Sequence, residues 1–393
     1  MKFENAWQGA NRWMLLALLL TSMALIVSCS SFVSSFGKLP DGQRFERIKT
    51  SPNYVNGEFR YSLPTALWTG GGPSSYLQEM FFGPHKQVKP EHPLPVLKTD
   101  LAALDRKRDL VVWLGHSSYF LQLGGKRILI DPVFSSYASP VPFLNQAFDG
   151  DYPYSPADIP EVDYVVLSHD HWDHADYPTL IALSPKIKAV VAPLGVGAHL
   201  ERWGYASDKI HEADWYEQIT LEPGFIIHVM PARHFSGRGW RSNQTLWASF
   251  LLETPSIKVF YSGDSGYGPH FADVGKRFGG VDLAIMENGQ YNQYWAQVHM
   301  LPEEAVQAAL DVRAKTLLPA HSGRFSLASH AWNEPYERIL AASEGKDFRL
   351  LTPVIGETVG FDNPNQSFSQ WWKSGSREGE LLLSQRPVRT DKQ

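Results

Sequence analysis

The sequence predicts one large α/β domain, and two observations support this. Strand-like apolar runs recur between Leu110 and Leu318, and helix-like segments such as residues 178–183, 303–312 and 334–342 separate them. This alternation is typical of an α/β fold. Candidate ligand residues also follow directly after several strand-like runs, and α/β proteins usually build their sites at the carboxyl ends of strands.

Residues 1–28 are predicted to form a secretory signal peptide. Lys2 and Arg12 precede an apolar stretch over residues 13–27, which is shorter than the roughly 20 residues that a spanning helix needs. Residues 25–29, Leu-Ile-Val-Ser-Cys, resemble a bacterial lipobox, so Cys29 is the expected lipidation site. The alternative is an uncleaved anchor with a buried Cys29.

Residues 29–51 are predicted to form a lipidated, Ser-rich and mobile tether that lets the main domain sit off the bilayer. Cys29 is the only cysteine of the chain, which fits an exported protein whose stray thiols would risk oxidation. Ser30 after this cysteine resembles the residue type that directs Gram-negative lipoproteins onward to the outer membrane. We therefore expect a lipid-anchored cell-envelope protein, on the periplasmic face of the outer membrane if the source is Gram-negative.

The main domain is predicted to span residues 52–362. Its first part, residues 52–95, contains Pro and Gly repeatedly and is expected to wrap around the domain as irregular chain. Beyond residue 362 the composition becomes polar, so residues 363–393 are predicted to be a disordered tail.

Composition limits the partners. With 36 Lys and Arg against 41 Asp and Glu, the chain lacks the basic surplus that binding to a nucleic-acid backbone requires. Aromatic residues make up 13% of the chain, and some of them could line an apolar groove for acyl chains, although large aromatics are core residues by default. The aromatic candidates are Trp240, Trp247, Tyr267, Tyr291, Tyr294 and Trp295.

The most informative motif is the run His169-Asp170-His171-Trp172-Asp173-His174, which follows the apolar residues 164–167. Alternate side chains of an extended segment share a side, so His169 and His171 could bind one cation. Asp173 and His174, after the turn, could bind a second. Zn²⁺, Mn²⁺ and Fe²⁺ accept imidazole and carboxylate ligands, and two such ions about 3.5–4 Å apart activate water for hydrolysis. The alternative is a solvated loop that happens to be rich in histidine.

Further ligand candidates are spread along the chain. His234, Asp264 and His321 each lie just past a strand-like run, where they could complete a two-metal site. His116 could support a ligand from behind or be a turn residue. Asp131 could also support a ligand from behind.

These motifs resemble the metallo-β-lactamase-fold hydrolases, which carry His-x-His-x-Asp-His followed by a lone His, a Gly-Asp and a last His. Within that fold, several longer runs look like N-acyl-phosphatidylethanolamine-hydrolysing phospholipase D. The resemblance covers about residues 52 to 362. Its runs are Trp113-Leu114-Gly115-His116, residues 131–136, Pro231-Ala232-Arg233-His234-Phe235, residues 262–267, residues 275–279, and His299 with residues 302–306.

The resemblance implies an αββα sandwich of two sheets flanked by helices. It also implies two divalent cations, for which we expect Zn²⁺ with Mn²⁺ or Fe²⁺ as alternatives. Catalytic roles fall on His299, which related enzymes place near the reacting phosphate, and on Asp173 and His321. The implied ligands are His169, His171 and His234 for one metal, Asp173, His174 and His321 for the other, and Asp264 for both.

The activity implied is cleavage of N-acyl-phosphatidylethanolamine to phosphatidic acid and an N-acylethanolamine by a metal-activated water, with no side-chain nucleophile. The expected partners are a phospholipid or another small-molecule substrate, and the membrane through the lipid anchor, but no nucleic acid. Two alternatives remain: a lactone or ester hydrolase of the same fold, and a non-catalytic envelope lipoprotein that metals only stabilise.

Overall fold

The computed structural model describes residues 30–83 and 86–373. The predicted signal peptide, the lipidation site Cys29 and the end of the predicted tail, residues 374–393, lie outside the described residues. None of the described helices combines the length and the apolar composition that crossing a bilayer requires.

The described residues form a short hairpin and two seven-stranded sheets. The strands, in chain order, are β1 (Tyr54–Val55), β2 (Glu58–Phe59), β3 (Leu110–Trp113), β4 (Tyr119–Leu123), β5 (Lys126–Ile130), β6 (Val162–Val166), β7 (Ile187–Pro193), β8 (Ile210–Ala213), β9 (Gln218–Glu222), β10 (Phe225–Met230), β11 (Ser249–Glu253), β12 (Lys258–Tyr261), β13 (Leu283–Glu287), β14 (Thr316–Ala320), β15 (Arg349–Leu350) and β16 (Thr358–Gly360). The first sheet has the order β16-β3-β4-β5-β6-β7-β8, and the second has the order β15-β14-β13-β12-β11-β10-β9.

Each sheet is half antiparallel and half parallel. In the first sheet the strands β16, β3, β4 and β5 pair antiparallel, while β5 to β8 run parallel. In the second sheet β9 to β12 pair antiparallel, and β12 to β15 run parallel. The parallel halves therefore gather several carboxyl strand ends at one edge of each sheet.

Helices cover the outer face of each sheet, which confirms the predicted αββα sandwich. The helices are α1 (Gly42–Lys49), α2 (Gly72–Phe82), α3 (Tyr177–Leu183), α4 (Gly197–Arg202), α5 (His270–Phe278), α6 (Pro302–Asp311) and α7 (Glu334–Ser343). One apolar cluster fills the space between the sheets, a second lies under α3 and α4, and a third lies under α5, α6 and α7. The three helices that the sequence predicts correspond to α3, α6 and α7 within two residues at each end.

The segment predicted to be a mobile tether packs on the domain instead, so that prediction is wrong for residues 30–51. Residues 42–49 form α1, whose Ile48 is buried in the core between the sheets. Arg44 of this helix forms ion pairs with Glu201 and Glu212. Upstream, the main-chain oxygen of Ser35 accepts two hydrogen bonds, of 3.1 and 2.9 Å, from the Arg238 guanidinium. These tertiary contacts outweigh the Ser-rich composition.

The main domain also differs from its predicted bounds. Residues 52–95 are largely irregular, as expected, but they include α2 and contribute the fully buried Phe59 to the core. At the other end, Trp371 and Trp372 are buried against Tyr336, and Trp371 also contacts Trp113. The predicted boundary at residue 362 is therefore wrong, because these two indoles extend the packed domain to residue 373.

Candidate metal centre

The structure brings all seven predicted metal ligands together at one edge of the sandwich. The loop with His169, His171, Asp173 and His174 follows β6 of the first sheet. The other three ligands follow strands of the second sheet: His234 comes after β10, Asp264 after β12 and His321 after β14. The site is therefore built from both sheets.

The first group of ligands consists of His169, His171, His234 and Asp264. His171 Nδ1 lies 2.8 Å from His169 Nε2 and 3.2 Å from His234 Nε2. Asp264 Oδ2 lies 3.8 Å from His169 Nε2 and 3.7 Å from His234 Nε2. Three nitrogens and one carboxylate oxygen thus converge on one point.

The second group surrounds Asp173 and the same Asp264 oxygen. His321 Nε2 lies 3.1 Å from Asp173 Oδ2 and 3.2 Å from Asp264 Oδ2. His174 Nε2 lies 3.4 Å from Asp173 Oδ2 and 3.0 Å from Asp264 Oδ2. Because Asp264 borders both groups, it is placed to bridge two cations.

The donor set fits two bound cations. Two nitrogens held by one tetrahedral Zn²⁺ at about 2.0–2.1 Å lie roughly 3.3 Å apart, which is the scale of the distances within each group. His174 Nε2 is buried and has no hydrogen-bond partner among the described residues. A buried polar atom without a partner is costly, and a metal ion at the second group would satisfy it.

Electrostatics prepare part of the site for cations. Despite burial, the carboxylates Asp264 and Asp173 raise the pKa of His174 and of His321 above the ordinary histidine value, so a cation in the second group would displace a proton from each ring. Burial lowers the pKa of His169 and of His234 well below the ordinary histidine value, so their ring nitrogens offer free lone pairs. Burial opposes ionisation of Asp173 and Asp264, but the surrounding histidines outweigh it and hold the pKa of both carboxyls well below the usual range. Neutral imidazole and ionised carboxylate are the forms that bind metal.

Neighbouring groups hold the ligands in orientation, as metal sites generally require. His174 Nδ1 donates to Asp131 Oδ2 at 2.8 Å, and His234 Nδ1 donates to the Val298 carbonyl at 2.9 Å. His116 Nε2 lies 2.9 Å from Asp173 Oδ2. The predicted position of Asp131 behind a ligand is confirmed. His116 also contacts a ligand, which agrees with its predicted role as a supporting residue.

His299 lies at the edge of the site, where its ring is 5.0 Å from that of His234 and 5.4 Å from that of His321. Sequence reasoning missed the residue behind it, Glu287, which is fully buried and contacts His299 Nδ1 through Oε1. The available signal was weak: a single acidic residue ends the apolar strand β13, at the edge where ligands gather.

The aromatic candidates for an acyl groove have different environments. Trp247 is a core residue, and Tyr291 and Tyr294 are also buried. Trp240 is completely exposed, in the loop that follows His234. The six residues do not share one environment, so the predicted groove cannot be assigned to them as a set.

Comparison with known proteins agrees with this geometry. A family model described as a β-lactamase superfamily domain matches residues 126–322, which include all seven ligands. The chain belongs to this superfamily. It is therefore a member of the metal-dependent hydrolases with the metallo-β-lactamase fold, and the resemblance seen in the motifs is confirmed.

The sequences of individual relatives match much of this chain. An uncharacterised protein of Mycobacterium tuberculosis is 38% identical over 328 residues, 82% of this chain and 88% of the relative. A Saccharomyces cerevisiae protein named mitochondrial N-acyl-phosphatidylethanolamine-hydrolyzing phospholipase D is 32% identical over 64% of this chain and 55% of its own length. Among solved structures, an isothiocyanate hydrolase from Delia radicum gut bacteria superposes with a TM-score of 0.51 at 17% identity, covering 64% of this chain and 98% of the other. That likeness shows the shared fold.

Proposed function

We propose that the protein is a phosphodiester hydrolase that cleaves N-acyl-phosphatidylethanolamine to phosphatidic acid and an N-acylethanolamine. The observation that carries the proposal is the position of Asp264 Oδ2 between both ligand groups, since two adjacent cations suit hydrolysis at phosphorus. The yeast relative, whose name gives this reaction, supports the choice of substrate. It is matched over only about half of its own length. The geometry supports metal-assisted hydrolysis, and the choice of this substrate rests on similarity.

Two divalent cations would lower the pKa of a shared water towards about 7 and polarise a phosphoryl oxygen. His169, His171 and His234 would hold one cation, and Asp173, His174 and His321 the other, with Asp264 between them. Neighbouring residues of the chain orient the ligands. Asp131 and the Val298 carbonyl fix the rings of His174 and His234 through their other nitrogens. We propose Zn²⁺ as the cation, because imidazole-rich tetrahedral sites suit it; Mn²⁺ and Fe²⁺ are the alternatives.

We also propose that Cys29 carries a lipid and that the substrate is reached from the membrane. The packing of the residues after Cys29 supports a short distance between the anchor and the site. The Phe36 ring lies 5.2 Å from that of Trp172, which is inside the metal-binding motif. Seven residues of chain span at most about 25 Å, so a lipid on Cys29 would keep the site near the bilayer, where phospholipid is concentrated.

The test uses the full chain, loaded with Zn²⁺, in detergent micelles that contain N-acyl-phosphatidylethanolamine. We expect the parent protein to release phosphatidic acid and N-acylethanolamine in equal amounts, measured by mass spectrometry. Asp264→Asn should reduce the rate at least about 100-fold, because it weakens the shared ligand. Asp347→Asn, at an exposed residue far from the ligand loops in sequence, is the matched control and should keep the parent rate.

Two results would contradict the proposal. The first is a metal-loaded parent protein that leaves the phospholipid intact but opens lactones, which would favour the ester hydrolase. The second is an Asp264→Asn variant that folds and cleaves the lipid at the parent rate, which would remove the two-metal site from the reaction.

A further inference from the structure

We propose that Glu287 is a positioning residue that holds His299 for proton delivery to the leaving-group oxygen. The inference rests on the proposed function, because it concerns the same reaction, and it adds a residue that the sequence motifs do not include. Glu287 ends β13 and has no exposed surface. A buried carboxylate is costly unless its oxygens are hydrogen-bonded, so its partners indicate its role.

The two carboxylate oxygens of Glu287 have separate partners. Oε2 accepts a hydrogen bond of 2.5 Å from the main-chain N–H of Ser265, the residue after Asp264. Oε1 makes a close contact with His299 Nδ1. The same oxygen is 3.4 Å from Nδ1 of His321. The contact of Oε1 with His299 is the shorter of the two.

The contact fixes the orientation of the His299 ring. The planes of His299 and His321 are inclined by only 4°, with ring centres 5.4 Å apart. A ligand atom of His299 also lies within 4.8 Å of ligand atoms of Asp264 and His321. With Nδ1 bound to Glu287, Nε2 is the nitrogen that remains for a substrate. His299 is slightly exposed, whereas the metal ligand His321 is buried.

This arrangement of carboxylate, imidazole and reacting group is the one that orients a histidine for proton transfer. When water attacks phosphorus, the bond between phosphorus and the ester oxygen of the N-acylethanolamine group breaks. That oxygen leaves with the electron pair. His299 Nε2 gives it a proton, so N-acylethanolamine leaves as a neutral alcohol. The attacking water supplies one proton to replace the one that His299 gave. Water and phosphodiester are the only reactants, and phosphatidic acid and the alcohol are the only products.

The leaving group provides a test that a merely structural role would not pass. An alkoxide needs a proton as it leaves, whereas p-nitrophenolate leaves readily without one. We expect Glu287→Gln to lower kcat/KM for N-acyl-phosphatidylethanolamine by about 100-fold or more, and that for phosphatidyl-p-nitrophenol by less than about threefold. Equal losses on both substrates would overturn the proposal, since they would show damage to the metal site.

A double-mutant cycle tests whether Glu287 acts through His299. Alone, His299→Ala should lower turnover of N-acyl-phosphatidylethanolamine as Glu287→Gln does, and the double variant should be no slower than His299→Ala. A further loss in the double variant would show that Glu287 acts through Ser265 or His321 instead. Glu253→Gln is the matched control, because Glu253 pairs with His228 on β10 and β11 at 2.9 Å, and it should keep the parent rates.

A third measurement separates failure of this inference from failure of the proposed function. Proton NMR of the zinc-loaded protein should show a downfield Nδ1–H resonance that is absent from both Glu287→Gln and His299→Ala. If the resonance is present while no phospholipid is cleaved, the contact stands, the proposed substrate fails, and proton delivery to this leaving group fails with it. If the lipid is cleaved and the resonance is absent from the parent protein, the contact itself is overturned.

Discussion

At the scale of residues, the site was predictable where chemistry is local in sequence. His169, His171, Asp173 and His174 lie within six positions, so their spacing alone indicates a metal site. Glu287 was not predictable in this way. Its partner His299 is 12 residues further along the chain and reaches it only through the fold.

Asp131 gives a sharp prediction at this scale. It lies at the left-handed φ of 39°, which Asn also tolerates, so Asp131→Asn should keep the backbone while weakening the acceptor for His174 Nδ1. We expect the affinity for Zn²⁺ to fall about 10- to 100-fold. Titration against a competing chelator measures this change. Asp149→Asn, at an exposed position, is the control; equal affinities for both variants would contradict a supporting role for Asp131.

At the scale of elements, composition predicted the core strands and three helices but not the terminal segments. The Ser-rich residues 30–35 have the composition of a tether, yet the carbonyls of Ser34 and Ser35 accept hydrogen bonds from the domain. Trp203 Nε1 donates to the Ser34 oxygen at 2.8 Å, and Arg238 donates to that of Ser35. These donors come from residues about 170 and 200 positions away, so the local composition could not predict the contacts.

Arg238 links the N-terminal segment to the metal-binding loop. Besides Ser35, its guanidinium donates to the Asp170 and Ala175 carbonyls at 2.8 and 2.6 Å. Arg238→Met would leave these buried acceptors without a donor, so we expect the free energy of unfolding to fall by at least about 2 kcal/mol. Urea denaturation measures the change. Arg241→Met, at an exposed residue, is the control, and a similar stability for the two variants would show that Arg238 does not hold the segment.

A second prediction at this scale concerns the packing of Trp371 near the end of the described chain. Trp371 packs against Tyr336, Trp372 and Trp113 and is almost fully buried. Trp371→Ala should therefore cost about 3–5 kcal/mol of stability through the cavity that it creates. Trp240→Ala removes an indole that is fully exposed, so it should change the unfolding free energy by about 0.5 kcal/mol or less. Equal effects in urea denaturation would place residue 371 outside the packed domain.

At the scale of the whole molecule, the alternating runs predicted the α/β class, and the candidate ligands after these runs predicted a site at the carboxyl ends of strands. The αββα sandwich itself was implied by the resemblance to the metallo-β-lactamase fold. The sequence did not reveal that the ligands join two separate sheets. His169 to His174 follow β6 of the first sheet, whereas His234, Asp264 and His321 follow strands of the second. Bound cations would therefore link the two halves of the sandwich.

Metal removal should destabilise the whole domain for that reason. A cation that binds only the folded state at 1,000 times its Kd adds about 4 kcal/mol to stability. We expect a chelator to lower the Tm in differential scanning calorimetry, and added Zn²⁺ to restore it. Asp264→Asn should show a smaller response to chelator than the parent protein. A Tm that is independent of chelator in the parent would contradict the link between the sheets.

The metal centre described above requires that the seven ligands hold two cations bridged by Asp264. Anomalous X-ray diffraction at the zinc edge, on crystals of the zinc-loaded protein, locates these cations. We expect two peaks about 3.5–4 Å apart, one among His169, His171 and His234 and the other among Asp173, His174 and His321. A single peak, or two peaks that do not share Asp264, would contradict it.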